Sequence, residues 1–164
     1  MQRLFFPALG LLTLLVAGCS DSPSAAPPPP VPELETALLG TWETVELDVS
    51  YATYLAGDTS FQERITEAEW GQKYGVRPPS TRFTADGKLL RTHRLTDGQV
   101  ANITHGIWKA QGDSLLVIEP NVTYTYLPDL NGDRLVLTGL TDQDQDGKRD
   151  DQYRAVLRQV SRSR

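Results

Sequence analysis

The chain is expected to fold as an all-β, eight-stranded antiparallel up-and-down barrel with one short helix in its first long loop. Three features lead there. Short runs rich in Val, Ile, Leu, Thr and Tyr alternate with period 2, turn signals recur about every ten residues from Leu38 onward, and only the first link between strands is long. The turns are Asp86-Gly87, Asp97-Gly98, Gln111-Gly112-Asp113, Pro120-Asn121, Asn131-Gly132 and an acidic stretch at 142–151. Links this short make successive strands antiparallel neighbours, and closing eight of them on one another removes the exposed edges.

The predicted strands, in order, are 41–50, 80–85, 88–95, 99–109, 114–119, 122–128, 134–140 and 152–160. Between the first two, Ser60 and Glu63 have the spacing of a capping box. Phe61, Ile65, Ala68 or Glu69, and Tyr74 follow at helical intervals, which places a helix at 61–73 released by Gly71 and Gly75. Pro78 and Pro79 bar its continuation. Such a helix sits at one mouth of the barrel, where Phe61, Ile65 and Trp70 either seal the core or serve as a lid.

The N-terminal part is of another kind. Met1 to Arg3 make a short positive start, Leu4 to Val16 an apolar stretch, and Ala17 and Gly18 supply small residues ahead of Cys19, the one cysteine of the chain. The apolar stretch is shorter than the roughly 20 residues a spanning helix needs, so residues 1–18 are expected to be a cleaved signal peptide. Leu15-Val16-Ala17-Gly18-Cys19 resembles the lipobox of bacterial lipoproteins. That resemblance implies a diacylglyceryl thioether on Cys19, cleavage before it, and an acyl chain such as palmitate on the new amine. A lone exported thiol has no disulfide partner, and lipidation removes that liability. At about 0.8 kcal/mol per buried methylene, three fatty chains make a lasting membrane anchor. Ser20 and Asp21 follow, and the resemblance implies delivery to the outer membrane of the cell envelope.

Residues 19–37 are expected to be a tether, since Pro23, Pro27, Pro28, Pro29, Pro30 and Pro32 fall there among small and acidic residues and favour extended geometry. Residues 38–164 form the barrel domain, large enough for a core without disulfides. Residues 1–18 carry one basic residue, Arg3, and no acid, so their removal leaves 15 of the 16 basic residues against 21 acidic ones. This balance argues against nucleic acid as a partner; a monomer is expected.

Further resemblance lies in the barrel segment. Leu39-Gly40-Thr41-Trp42, Phe83-Thr84-Ala85-Asp86-Gly87 and Gly106-Ile107-Trp108 ahead of Gly112-Asp113-Ser114-Leu115 resemble the punctuation of lipocalin-like lipoproteins. This implies that Trp42 plugs the closed end of the barrel beneath an arginine of the last strand, here Arg158, with a cation–π contribution of roughly 0.5–2 kcal/mol.

Asp142-Gln143-Asp144-Gln145-Asp146-Gly147-Lys148-Arg149-Asp150-Asp151 resembles the calcium loops of EF-hands, dockerins and thrombospondin repeats. Carboxylates at alternate positions turn inward on a hard cation, the glycine allows a sharp turn, and the next carbonyl becomes a ligand. The expected set is Asp142, Asp144, Asp146, the Lys148 carbonyl and Asp150. Tyr153 stands at position 12 in place of a bidentate glutamate, which leaves Asp151 as its substitute. A structural Ca2+ stapling the last hairpin is the expected role.

No catalytic constellation is visible, and an enzyme is not expected. His93 and His105 lie on different strands without other ligands at metal-binding spacing. Tyr124 and Tyr126 share a strand face with Val122, and His105 shares one with Ile103 and Ile107. If both faces point inward, His105, Tyr124 and Tyr126 line a pocket for a small, partly apolar ligand. The alternative is a packed barrel acting as a structural or interaction module through its surface.

Overall fold

A computed structural model describes residues 31–54, 57 and 59–162; Cys19, the signal segment and residues 19–30 of the expected tether lie outside them. The elements are α1 (Val31–Leu38), β1 (Gly40–Tyr51), β2 (Phe61–Thr66), α2 (Trp70–Tyr74), β3 (Ser80–Phe83), β4 (Lys88–Arg94), β5 (Val100–Gln111), β6 (Ser114–Glu119), β7 (Val122–Asn131), β8 (Arg134–Thr141) and β9 (Asp151–Arg162). Strands β3 to β9 pair antiparallel in sequence order, and β1 pairs with both β3 and β9, closing an eight-stranded antiparallel barrel. All eight predicted strands are present.

The turn chemistry explains the hairpins. At β5–β6 and β7–β8, two-residue Gly-Asp loops join the pairs Gln111 with Ser114 and Asn131 with Arg134. Gly112 and Gly132 both have φ +63°, the sense of a type II′ turn with glycine first, whose twist matches the flanking strands.

The long link departs from expectation. Residues 61–66 form a ninth strand, β2, paired with the upper half of β1, and helix is confined to 70–74. The i, i+4 spacing of Phe61 and Ile65 suits a helix face, but four is also twice two, and Glu63 completes a strand face between them. Gln62 and Arg64 alternate to the other side, where they reach Asp48 and Glu46 of β1 at 3.1 and 3.2 Å. The Ser60/Glu63 box does not form; the Glu69 carboxylate instead accepts the Thr66 N–H at 2.8 Å and its hydroxyl at 2.7 Å. The half-box has moved six positions on, from Ser60-x-x-Glu63 to Thr66-x-x-Glu69. Trp70 is buried, as a seal requires, whereas Phe61 is exposed, stacks on Tyr51 and meets Tyr54 at a tilt.

The tether expectation is also shortened. Residues 31–38 form α1 rather than extended chain, with Pro32 in the first turn, where a missing N–H is tolerated. Leu34 and Leu38, one turn apart, pack on the barrel core. Trp42 lies at this end: it is fully buried, and its indole N–H donates to the Leu38 carbonyl at 2.7 Å. Arg158 does not cover it. In β9 the inward positions are Tyr153, Ala155 and Leu157, so Arg158 falls outside, 47% exposed, and pairs with Glu43 at 2.9 Å and Glu67 at 2.8 Å. The closure over Trp42 is therefore helical and apolar.

One β-bulge sets the rest of the interior. Between Thr44 and Glu46 the β1–β9 register shifts, leaving Val45 as the extra residue. Without it Glu46 would follow Trp42 and Thr44 into the barrel; with it Leu47 and Val49 do, and Glu46 turns out to Arg64 and Arg154.

Candidate functional site

The interior has two halves. Towards α1 it is close-packed by Trp42, Phe83, Leu89, Trp108, Leu115 and Leu135. Towards the other end the same strand faces turn polar. Arg91 and His93 continue the face of Leu89 on β4, Glu119 continues that of Leu115 and Val117 on β6, and Tyr124 and Tyr126 descend on β7 towards Tyr153 of β9. Leu89, Arg91, His93, Val117, Tyr124, Tyr126 and Tyr153, with Trp70 of α2 and Gln143 of the β8–β9 loop, line a cavity of about 210 Å3, and Glu119 lies in the adjoining mouth. The mouth is an open cleft of about 770 Å3 between the β6–β7 turn and the acidic loop, and Tyr124 and Gln143 belong to both spaces.

Arg91 and Glu119 meet at 2.8 Å, their side chains only 25% and 10% exposed. They belong to β4 and β6, so their bridge spans β5, whose inward position there is Gly106. A Cβ at Gly106 would lie 2.6 Å from the Ile118 carbonyl oxygen and 3.4 Å from Glu119 Cγ, so the bare backbone makes room for the pair. Burial works against the Arg91 cation, but Glu119 and the neighbouring tyrosines hold its pKa above the usual value.

The aromatic groups form a continuous wall. Tyr124 stacks on Tyr126 with ring centres 5.6 Å apart, and Tyr126 meets Tyr153 at 5.3 Å. Burial pushes all three phenol pKa values up, so they stay neutral hydrogen-bonding groups at physiological pH. Trp70, also of the cavity wall, has its indole N–H buried without a protein partner.

His93 is pushed below the usual histidine value, first by burial and then by the Arg91 cation. The unfolded chain therefore binds a proton that the folded chain resists, and stability falls as pH drops below about 6.5, levelling off only beneath the lowered folded value. Glu46, held below the ordinary 4.5 mainly by its bond from Arg154, contributes stability that disappears at lower pH still. Urea titrations of His93→Gln between pH 7 and 5 should accordingly show a flatter midpoint profile than the wild type. An unchanged profile would assign the slope elsewhere.

The sequence-predicted ligand residues separate. Tyr124 and Tyr126 do face the interior, but His105, Ile103 and Ile107 are exposed on the outside of β5. The parity of β5 is set by Trp108 and Ala110, which are buried, so odd-numbered residues point away. His93, discounted beside His105, is the histidine in the cavity.

The acidic loop divides similarly. Asp142, Asp144 and Asp151 bring one carboxylate oxygen each within 4.8 Å of the others. Asp146 instead receives the Lys148 N–H at 2.8 Å, the Lys148 ammonium at 3.2 Å and the Thr53 hydroxyl at 3.2 Å. Asp146 and Asp150 stand outside this carboxylate cluster, which differs in that respect from the expected ligand set. Gln145 at φ +61° and Gly147 at φ +90° give the loop its two left-handed turns. Among the described residues, no helix is long and apolar enough to cross a membrane.

Compared with family models, curated proteins and solved structures, the chain matches none.

Proposed function

We propose that this is a lipid-anchored bacterial envelope protein, delivered to the outer membrane, whose barrel binds or carries a small, partly apolar molecule. The anchor rests on the Leu15-to-Cys19 motif and its resemblance to the lipobox. The ligand rests on one observation above all: a cavity of about 210 Å3 whose wall combines apolar side chains with Arg91, His93 and the unpartnered indole N–H of Trp70. A buried donor without an acceptor calls for one, and a polar ligand head supplies it.

The volume limits the occupant. Engineered apolar cavities of about 150 Å3 hold benzene, so the space suits one ring or a short chain with a polar head. It is smaller than the roughly 300–1,000 Å3 of drug-sized sites, which is the observation favouring the competing role of a packed interaction module.

Benzyl alcohol and benzoate are suitable probes, one neutral and one anionic, titrated into the full chain in detergent with tryptophan fluorescence as readout. Saturable quenching by at least one is expected. Tyr124→Trp, which puts bulk into the cavity and its mouth, should weaken it at least tenfold. Linear, unsaturable responses to both probes would favour the packed module. Fatty-acid labelling that survives Cys19→Ser would reject the anchor.

A further inference from the structure

We propose that the rim of the barrel holds a divalent cation of the calcium class on Asp142, Asp144 and Asp151, at the junction of β8, β9 and their loop. Clustered carboxylates alone are common on surfaces. The additional observation is Asp151: it is 0% exposed, and while its Oδ2 accepts the Gln143 N–H at 2.7 Å, its Oδ1 is buried with no partner. Asp142 repeats the arrangement, with Oδ2 accepting the Gly147 N–H at 3.1 Å and Oδ1 buried and unpartnered. In both residues one oxygen shapes the loop and the other is left over.

A third orphan is adjacent. Thr141 is buried with its hydroxyl unpartnered, and it sits directly opposite Asp151 in the β8–β9 ladder, so the two side chains share a face. Among the described residues five buried polar side-chain atoms make no hydrogen bond; Glu119 Oε1 has its ion pair with Arg91, and of the other four, three belong to Thr141, Asp142 and Asp151. Random imperfection would scatter such atoms; here they fall on two consecutive residues, Thr141 and Asp142, and on Asp151, the ladder partner of Thr141.

Carboxylates this close repel one another, and the fully buried Asp151 gains most from a compensating cation. Neither Asp142 nor Asp151 makes an ion pair among the described residues, and the Lys148 ammonium is engaged by Asp146. The separations fit a metal: two oxygens bound to one Ca2+ at about 2.3–2.6 Å can be no more than about 5 Å apart, and the three carboxylates meet within 4.8 Å. An all-oxygen donor set selects a hard cation over zinc or copper.

This ligand set differs from that of an EF-hand, and the difference supplies the test. The full chain, purified in detergent and stripped with EDTA, is titrated calorimetrically with CaCl2, and its melting temperature is followed in parallel. One Ca2+ per chain is expected, with a raised melting temperature and an affinity on the order of 10⁻⁴ to 10⁻³ M, as in extracellular modules. Asp151→Asn and, as a check less exposed to folding defects, Asp144→Asn should each weaken binding at least tenfold. Asp151→Asn should melt in EDTA no lower than the wild type, because it removes a buried charge that has no ion-pair partner among the described residues. Asp146→Asn should keep binding within about threefold. No saturable heat and no thermal shift at several millimolar Ca2+ would overturn the site, as would loss of binding in Asp146→Asn with retention in Asp151→Asn.

Discussion

Trp42→Ala is expected to lower stability by about 3–5 kcal/mol, the range for deleting a large buried aromatic side chain, and the melting temperature by roughly 10–20 °C. Trp42 is fully buried at the junction of α1 with the barrel, and its indole N–H satisfies the carbonyl that ends the helix. Truncation leaves a cavity under α1 and strands the Leu38 carbonyl, so the helix loses both its floor and its hydrogen bond. Trp42→Phe keeps most of the volume and should lose only about 1–2 kcal/mol. Arg158→Ala, which on a lipocalin pattern would uncover Trp42, should change stability by under about 1 kcal/mol, because its pairs with Glu43 and Glu67 are solvent-exposed. Denaturant unfolding of the three variants checks the order. A larger loss for Arg158→Ala than for Trp42→Phe would mean that the arginine does brace the closed end.

Breaking the Arg91–Glu119 pair is expected to be the second most damaging single change. Arg91→Met should destabilise by about 3 kcal/mol, near the low end for a buried pair since Arg91 is one-quarter exposed, because Glu119 is left charged at the barrel mouth without its counter-ion. The double variant Arg91→Met/Glu119→Leu should recover most of that loss, as no charge then remains to be solvated. A double-mutant cycle should give a coupling of roughly 2 kcal/mol. Removing the Arg91 cation also removes one of the two influences that depress His93, so its titration should move up in Arg91→Met. Additive single-variant effects would place the two charges in water rather than in the barrel.

Most of the barrel is legible because hairpins are local. Turn pairs such as Asn131-Gly132 and strict alternation in runs such as Leu115-x-Val117 specify strand, turn and register over a few residues. The long link was not legible for the same reason: Phe61 and Ile65 satisfy both periods, and what decides is β1, whose free upper edge accepts β2. The α1 helix was hidden by the Pro-rich composition around it, although Leu34 and Leu38 carry an i, i+4 signal.

The site was half legible. Tyr124 and Tyr126 stand out as aromatic groups on one face, and the acidic loop as a run of carboxylates. Arg91 and Glu119 belong to no recognisable motif, and His93 has no other ligand at metal-binding spacing in the sequence. Yet each shares parity with a plainly apolar neighbour, Leu89 for the first two and Val117 for the third. Arg158 could have been assigned outside by the same rule, from the alternation of Tyr153, Ala155 and Leu157. Which oxygens of the acidic loop converge was beyond any spacing rule, because Thr53, distant in sequence, engages Asp146.

The most direct measurement is native mass spectrometry of the full-length protein extracted in mild detergent from its own host. A polypeptide beginning at Cys19, carrying covalent acyl groups and a non-covalent occupant of a few hundred daltons or less that departs on activation, is the predicted result. A bare, unacylated chain whose mass never exceeds that of its sequence would contradict both the anchor and the cargo.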